Sequence, residues 1–448
     1  MRRKSWTIGV AMTAATVALA ACSSGGTGGS EGGESTDGAG AGGGSGDFSG
    51  ETLVVMHYEG TDSAMGIAWD KAIEIFEEET GATVDLQITA FEDLQVSAGQ
   101  LFDSSDAPDV SEFNKGNGTA GQLAAIGVIQ NLNDLYSEFG WEDSLADSIQ
   151  TTARYDENGV MGSGDFYGLP NYGEFVFLYY NADLFAEHGV EIPQSIDDVV
   201  AAAETFKAAG VQPFTTSAQE YPMGQMWYQL ALSQADRDWV DAYQLYTAPV
   251  DWNGPEISYA TQTVRDWTDA GYIPAESTGM TAEQAGLEFI NGNAAMFLSG
   301  SWWYGRFLGD ISDFELGITN WPSTELTPGS GGNMWVIPIE SKQPELAGIF
   351  MDITMRPEVQ ALLGESGGLP VAANADDISN DDAKALIELF NEVNDRDGLA
   401  FYPDWPTPSF YGDLNGVLQG LINGTTTVAE AQTQLESYYE NHVAPLRD

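Results

Sequence analysis

The 448-residue chain carries 68 acidic side chains against 15 basic ones, a formal charge of −53, and contains one cysteine. A surface so negative repels nucleic acid and anionic lipid, so neither is expected as a partner. A lone cysteine allows no disulfide within the chain. The acids are dispersed along the sequence rather than clustered, which favours solubility in a salty medium over a surface that collects cations.

The N-terminus places Arg2, Arg3 and Lys4 before an apolar stretch from Ile8 to Ala21. That stretch is shorter than the roughly 20 residues a membrane-spanning helix needs, so residues 1–21 are predicted to be a signal peptide. Its ending, Leu19-Ala20-Ala21-Cys22, resembles the lipobox of bacterial lipoproteins, which implies an acylated Cys22 and attachment to the membrane through a lipid. Residues 22–50 are almost entirely Gly, Ser, Thr, Ala and acids and are expected to form a flexible linker. Loss of the leader removes three bases and no acid, leaving 12 bases against 68 acids, a net −56. The remaining 400 or so residues exceed what one hydrophobic core covers, so two lobes are expected.

In "ETLVVMHYEG", residues 51–60, an apolar run ends in polar residues and predicts a buried strand delivering Tyr58 and Glu59 at its carboxyl end. "AWDKAIEIFEEETG" places Trp69, Ala72, Ile73 and Phe76 at helical spacing and stops at Gly81. "ATVDLQITAF" then alternates as a strand whose end carries Phe91 and Glu92. This βαβ opening predicts α/β lobes with parallel sheets. In open sheets of that kind ligands sit beyond the carboxyl ends of the strands, so Glu59, Phe91 and Glu92 are candidate ligand contacts. Further along, "LSGSWWYGR" sets Trp302, Trp303 and Tyr304 side by side. Helical neighbours diverge by about 100° and strand neighbours alternate, so three such rings cannot share one core.

Several blocks carry a resemblance that covers nearly the whole mature chain, in order. They are "APDVSEFNKG" (107–116), "YGLPNYGEFVFLYYNADLFAEHGVEIPQSIDDVVAAAETFKAAGVQPF" (167–214), "FINGNAAMFLSGSWW" (289–303), "GGNMWVIPIESKQPELAGIFMDITMRPEVQALLGESGGLPV" (331–371) and "VLQGLINGTTTVAEAQTQL" (417–435). Together they resemble the extracellular solute-binding proteins of ABC importers, in particular the maltodextrin-binding-like carbohydrate family. The resemblance implies an α/β, two-lobe periplasmic-binding-protein-like fold with a three-segment hinge and a ligand cleft between the lobes. It implies hinge crossings near Asn171 to Phe175, near Gly332 to Ile337 and near residues 395–402. The N-terminal lobe is then 51–172 plus 336–396, and the C-terminal lobe 173–335 plus 397–448.

The same resemblance implies a monomeric, non-enzymatic receptor on the outer face of the cytoplasmic membrane, with a carbohydrate ligand, permease subunits as partners and no cofactor. It assigns cleft positions to Phe113 and Asn114 after Pro108-Asp109-Val110, to Tyr172 after the first crossing, and to Glu220, Tyr221 and Trp227 in "SAQEYPMGQMW". Trp302 takes the place of the family's cleft aromatic, with Trp303 expected in the core. Gly332 falls at the second crossing. Tyr411 takes a stacking position where the family usually has Trp, and Asp404 and Trp405 lie beside it. The family's charged loop after the first strand is altered, since Glu59-Gly60-Thr61 has no Lys, which leaves the particular sugar open.

Other chemistries fit less well. His57, His188 and His442 are the only histidines, none lies near a Gly-x-Ser-x-Gly motif, and no His or Cys spacing suits zinc. "NDRDGLAFYPD" spaces Asp395, Asp397, Gly398 and Asp404 roughly as a calcium loop does, but Val393 occupies the first ligand position. No metal is therefore expected. "TPGSGGN" (327–333) lacks the Lys of a phosphate loop and suits a flexible hinge better. The alternatives left open are a receptor of the same fold for glycerol phosphate, polyamine or iron, and a secreted glycosidase, which would need two opposed carboxylates.

Overall fold

The computed structural model describes residues 47–322, 324–371 and 378–447. Cys22 and the predicted leader lie outside them. Among the described residues no helix is long and apolar enough to cross a membrane.

The chain opens as the sequence pattern predicts. Strand β1 (Thr52–His57) leads into helix α1 (Ala64–Thr80), β2 (Thr83–Ile88), α2 (Phe91–Leu101) and β3 (Val110–Phe113). Ser63 caps α1 by accepting from the Gly66 amide, and Gly81 ends it in the left-handed conformation, φ 70°, which a residue without Cβ adopts at little cost. Strand β1 pairs in parallel with β2 and with β3. The first sheet is completed by two short strands from later in the chain, β4 (Leu169–Pro170) and β10 (Met334–Val336), in the order β2-β1-β3-β10-β4.

The second sheet is built on β5 (Tyr172–Asn181), a ten-residue strand buried along its whole length. Beside it lie β6 (Gln212–Thr215), β7 (Ala294–Gly300), β8 (Leu316–Thr319) and β9 (Gly329–Gly331), with β8-β5-β7-β6 as the main order. A strand covered on both faces reads as a continuous apolar run, which is how "FVFLYY" reads. Helices α3 (Tyr221–Leu232) and α4 (Ala282–Ile290) flank this sheet. The first lobe is closed by α5 (Pro344–Thr354) and α6 (Pro357–Glu365), which lie against α1.

Two of the passages between lobes are single steps. Asn171 separates β4 in the first sheet from β5 in the second, and Gly332-Asn333 separates β9 from β10. The third lies upstream of residues 395–402, where the family resemblance put it. Strand β11 (Leu369–Pro370) already pairs with the start of β5, at Tyr172 and Gly173. Helix α7 (Asp381–Asn394) then packs Ala383, Leu386, Ile387 and Val393 into one cluster with Phe175, Phe177 and Tyr179 of the second sheet. Residues 399 and 401 bridge to Thr327 and Gly329 on the same lobe. The sequence boundary at 396 is therefore corrected to the stretch around 367–371. The apolar face of α7 belongs to the second core, and a helical pattern alone does not say which sheet it will cover. Helices α8 (Phe410–Ile422) and α9 (Val428–Val443) complete the second lobe.

Candidate functional site

The two lobes enclose a cavity of about 200 Å³. From the first lobe come Tyr58 and Glu59, just past the end of β1, Phe91 at the start of α2, and Asn114 past the end of β3. These are the carboxyl ends of neighbouring parallel strands, where an open sheet presents side chains without covering helix. The second lobe contributes Tyr221 and Gln225 from the first turns of α3, Trp302 from the turn after β7, and Tyr402, Asp404, Trp405 and Tyr411 from the segment entering α8. Tyr172, Glu174 and Asn333 stand at the hinge.

Most of the wall is ring surface. Tyr58 meets Phe91 edge-on with centroids 5.1 Å apart, and Tyr221 meets Trp302 at 5.6 Å and 77°. Trp302 and Trp303 both donate through Nε1 to the Tyr221 hydroxyl, at 3.2 and 3.3 Å. The neighbours then part: Trp303 is buried against Phe297 and Phe307, and Trp302 stays half-buried on the cavity wall. Tyr304 joins the core as well and donates to the Asp382 carbonyl.

The polar side of the cavity is acidic. Glu59, Glu174 and Asp404 line it, and among the described residues no Lys, Arg or His does. Lys115, fully buried behind the wall, pairs with Glu174, donates to Asn333 Oδ1 at 3.1 Å, and sits over the Tyr402 and Trp405 rings. Burial pushes the Glu59 carboxyl up to about 7, and the nearby Glu174 charge adds to the effect. Burial likewise carries Asp404 up to about 6 and raises Glu174, against the pull of Lys115. Glu112, in β3 and near the Tyr172 hydroxyl, is raised as well, by burial and then by Glu59. Lys115 is lowered by its own burial, opposed by Glu174. Several polar atoms at the cavity have no protein partner: Gln225 Oε1 and the Tyr58 and Tyr411 hydroxyls.

A second hollow of about 420 Å³ opens alongside, sharing Phe91, Asn114, Asp404 and Tyr411 with the first. The segment 114–118 and the segment 405–407 approach closely here. The Gly118 amide donates to the Trp405 carbonyl at 2.8 Å, and a Cβ on Gly116 (φ 106°) would lie 2.5 Å from the Trp405 ring.

Residues 71–391 match the family model described as bacterial extracellular solute-binding protein. The chain belongs to the bacterial extracellular solute-binding protein family. This solute-binding protein is 26% identical over 199 residues to an arabinooligosaccharide-binding protein of Halalkalibacterium halodurans, an alignment covering 42% of the chain and 43% of the relative. It spans less than half the length of that relative. Against a multiple sugar-binding protein of Streptococcus mutans the identity is 22% over 338 residues, 72% of the chain and 76% of the relative. The fold is that of a solved chitin oligosaccharide binding protein, with a TM-score of 0.75 and 21% identity over 88% of this chain and 99% of that one.

Of the residues singled out in the sequence, the cavity brings together Glu59, Phe91, Asn114, Tyr172, Tyr221, Trp302, Asp404, Trp405 and Tyr411. Phe113 lines the second hollow instead and packs edge-on against Phe102 at 5.7 Å. Glu92, in the first turn of α2, is displaced from the wall, its carboxyl raised by burial. Glu220 is turned away: its carboxylate accepts from the Ala282 amide at 2.5 Å, at the start of α4. Trp227 is fully buried in α3 and donates to Thr261 at 3.1 Å, a core role. Gly332 presents no side chain. A Cβ there would meet the Tyr172 ring at 2.3 Å, so its smallness serves the hinge.

Sequence reasoning did not select Glu174, Gln225, Asn333 and Tyr402 as ligand contacts. A signal existed for the first, since Glu174 is the one acid in an otherwise apolar strand, and burying a lone carboxylate requires a partner. That partner, Lys115, sits likewise in a run that is otherwise free of bases.

Proposed function

We propose that this protein is a sugar receptor on the outer face of the cytoplasmic membrane, tethered through a lipid on Cys22, that captures its ligand between the lobes and delivers it to an ABC import permease. The observation that carries the reading is the cavity itself, in which both lobes supply flat aromatic faces together with carboxyl and amide groups. Sugars present apolar C–H faces and a rim of hydroxyls, and this pairing of surfaces meets both. The names of the similar proteins support the same class, and so does the family's membership of binding proteins rather than enzymes. The receptor acts as a monomer, without catalysis.

Closure by the hinge requires a ligand that binds the two lobes together better than either alone. The wall, drawn from both lobes, is suited to that.

Isothermal calorimetry on the mature protein tests the reading, with neutral mono- and oligosaccharides set against glycerol phosphate, spermidine and ferric citrate. Saturable binding of a neutral or amino sugar is expected. Binding confined to the other solutes overturns the sugar assignment. Turnover of an oligosaccharide, lost when one cavity carboxylate is replaced, would make the protein a glycosidase instead.

A further inference from the structure

We propose that the ligand of this cavity is a sugar carrying a protonated amine, gripped by Glu59 from one lobe and Asp404 from the other. The inference rests on the sugar reading and narrows it to a chemical class.

The argument begins with hydrogen-bonding capacity. The cavity lining offers the carboxyl oxygens of Glu59 and Asp404 and the unpartnered Oε1 of Gln225, whose residue is only 4% exposed. The unpartnered hydroxyls of Tyr58 and Tyr411 can accept as well. A wall rich in acceptors calls for a ligand rich in donors, and an ammonium group brings three donors and no acceptor. A sugar hydroxyl brings one donor and two lone pairs, which the Tyr58 and Tyr411 hydroxyls can meet, but no positive charge to set against the two carboxyls.

Charge leads to the same class. The protein's own cation in this region, Lys115, is already committed to Glu174 and Asn333 and faces the Tyr402 and Trp405 rings. Glu59 and Asp404 are left without a basic partner of their own. Burial makes ionisation costly for both. Glu174 is balanced by Lys115, and neither Glu112, whose carboxyl burial holds toward its neutral form, nor the Tyr58 and Tyr172 hydroxyls supply a positive charge. A ligand ammonium supplies the missing counter-charge, and the aromatic walls favour a cation further. A uronate or sugar phosphate would meet like charge in a desolvated space and is excluded. A metal ion is a poor substitute, because among the described residues no three His, Cys, Asp or Glu side chains converge as ligands.

The cavity is also small. Its 200 Å³ is below the roughly 300–1,000 Å³ of sites for drug-sized ligands, so it holds a single ring, with the adjoining hollow free to take whatever is attached to it.

The test uses calorimetry with three matched pairs: glucose and glucosamine, galactose and galactosamine, mannose and mannosamine, with putrescine and spermidine as amines lacking a ring. At least one amino sugar should bind tenfold or more tightly than its parent, and should release protons in buffers of differing ionisation enthalpy as Glu59 and Asp404 become charged. In Asp404→Asn, and separately in Glu59→Gln, the ratio of amine to parent affinity should fall toward one, with melting curves confirming that each variant is folded. A parent sugar that binds as tightly as its amine overturns this inference and leaves the sugar reading standing. Binding of the diamines alone overturns both, whereas binding of nothing in the panel overturns this inference and leaves the sugar reading to the oligosaccharide titrations.

Discussion

Trp302 and Trp303 are adjacent in sequence and should fail in opposite ways when truncated. Trp303 is 6% exposed, stacks on Phe307 with centroids 5.3 Å apart, and sits so tightly against α4 that a Cβ on Gly286 would lie 2.4 Å from its ring. Trp303→Ala therefore empties a packed site, and large aromatic truncations of that kind cost about 3–5 kcal/mol. The Tyr221 hydroxyl would keep Trp302 as a donor. Trp302 borders the cavity, and a ligand covering about 80 Å² of its ring removes apolar surface worth about 2 kcal/mol at 25 cal/mol per Å². Trp302→Ala should thus weaken binding about thirtyfold and disturb folding less. Calorimetry with the tightest sugar of the panel and thermal melts of both variants measure the two effects. If Trp302→Ala melts early but binds normally while Trp303→Ala keeps its melting point and loses the ligand, the two faces have been assigned in reverse. Full affinity in both variants would refute ring stacking as a source of binding.

Three further outcomes are expected. Lys115→Met leaves Glu174 buried without its partner and should destabilise the fold by about 3–5 kcal/mol in urea titrations, much of it recovered by adding Glu174→Leu; no loss would mean the pair is not buried in solution. Glu59 and Asp404 stay protonated in the folded chain up to about 7 and about 6, against 4.5 and 3.8 as ordinary values, so the stability they contribute is fully present below those ordinary values and lost as pH rises through the folded ones. The melting temperature between pH 4 and 8 should therefore fall less steeply in the Glu59→Gln/Asp404→Asn double variant than in the parent, and equal slopes would contradict the assignment. Gly118→Ala puts a Cβ 2.2 Å from the Thr407 carbonyl and should hold the lobes apart; small-angle scattering should show a larger radius with saturating ligand than the parent has, and an unchanged radius would show that these segments adapt.

Much of this architecture was legible in the sequence because local and global signals agreed. The apolar run before Tyr58 and Glu59, the helix spacing of Trp69, Ala72 and Phe76, and the stop at Gly81 each correspond to an element that the structure contains. Residues that project from strand ends, such as Glu59 and Asn114, could be placed for the same reason. What sequence could not supply was the direction of side chains within α3 and the turn before it. Glu220 and Tyr221 are neighbours, yet one closes the end of α4 and the other faces the cavity, a choice made by the position of a helix 60 residues away. Trp227 follows Tyr221 by six residues, more than one turn and a half, and so points into the core. The third hinge passage was misplaced because α7 carries an apolar stripe that either lobe could have covered, and the partner rings, Phe175 and Phe177, lie some 200 residues earlier.

Strand β5 begins where all three passages meet: Asn171 precedes it, β9 pairs with Gly173 to Phe175, and β11 pairs with Tyr172 and Gly173. Four consecutive residues therefore serve as an axle bearing every strand that joins the halves. Any swing of one half about the other must be absorbed by torsion in the few peptide units beside them, and a side chain's travel grows with its distance from that line. Tyr172 and Glu174, seated on the axle, keep their places while residues farther out sweep the widest arcs. The base of the cavity therefore lies where any such swing would displace it least.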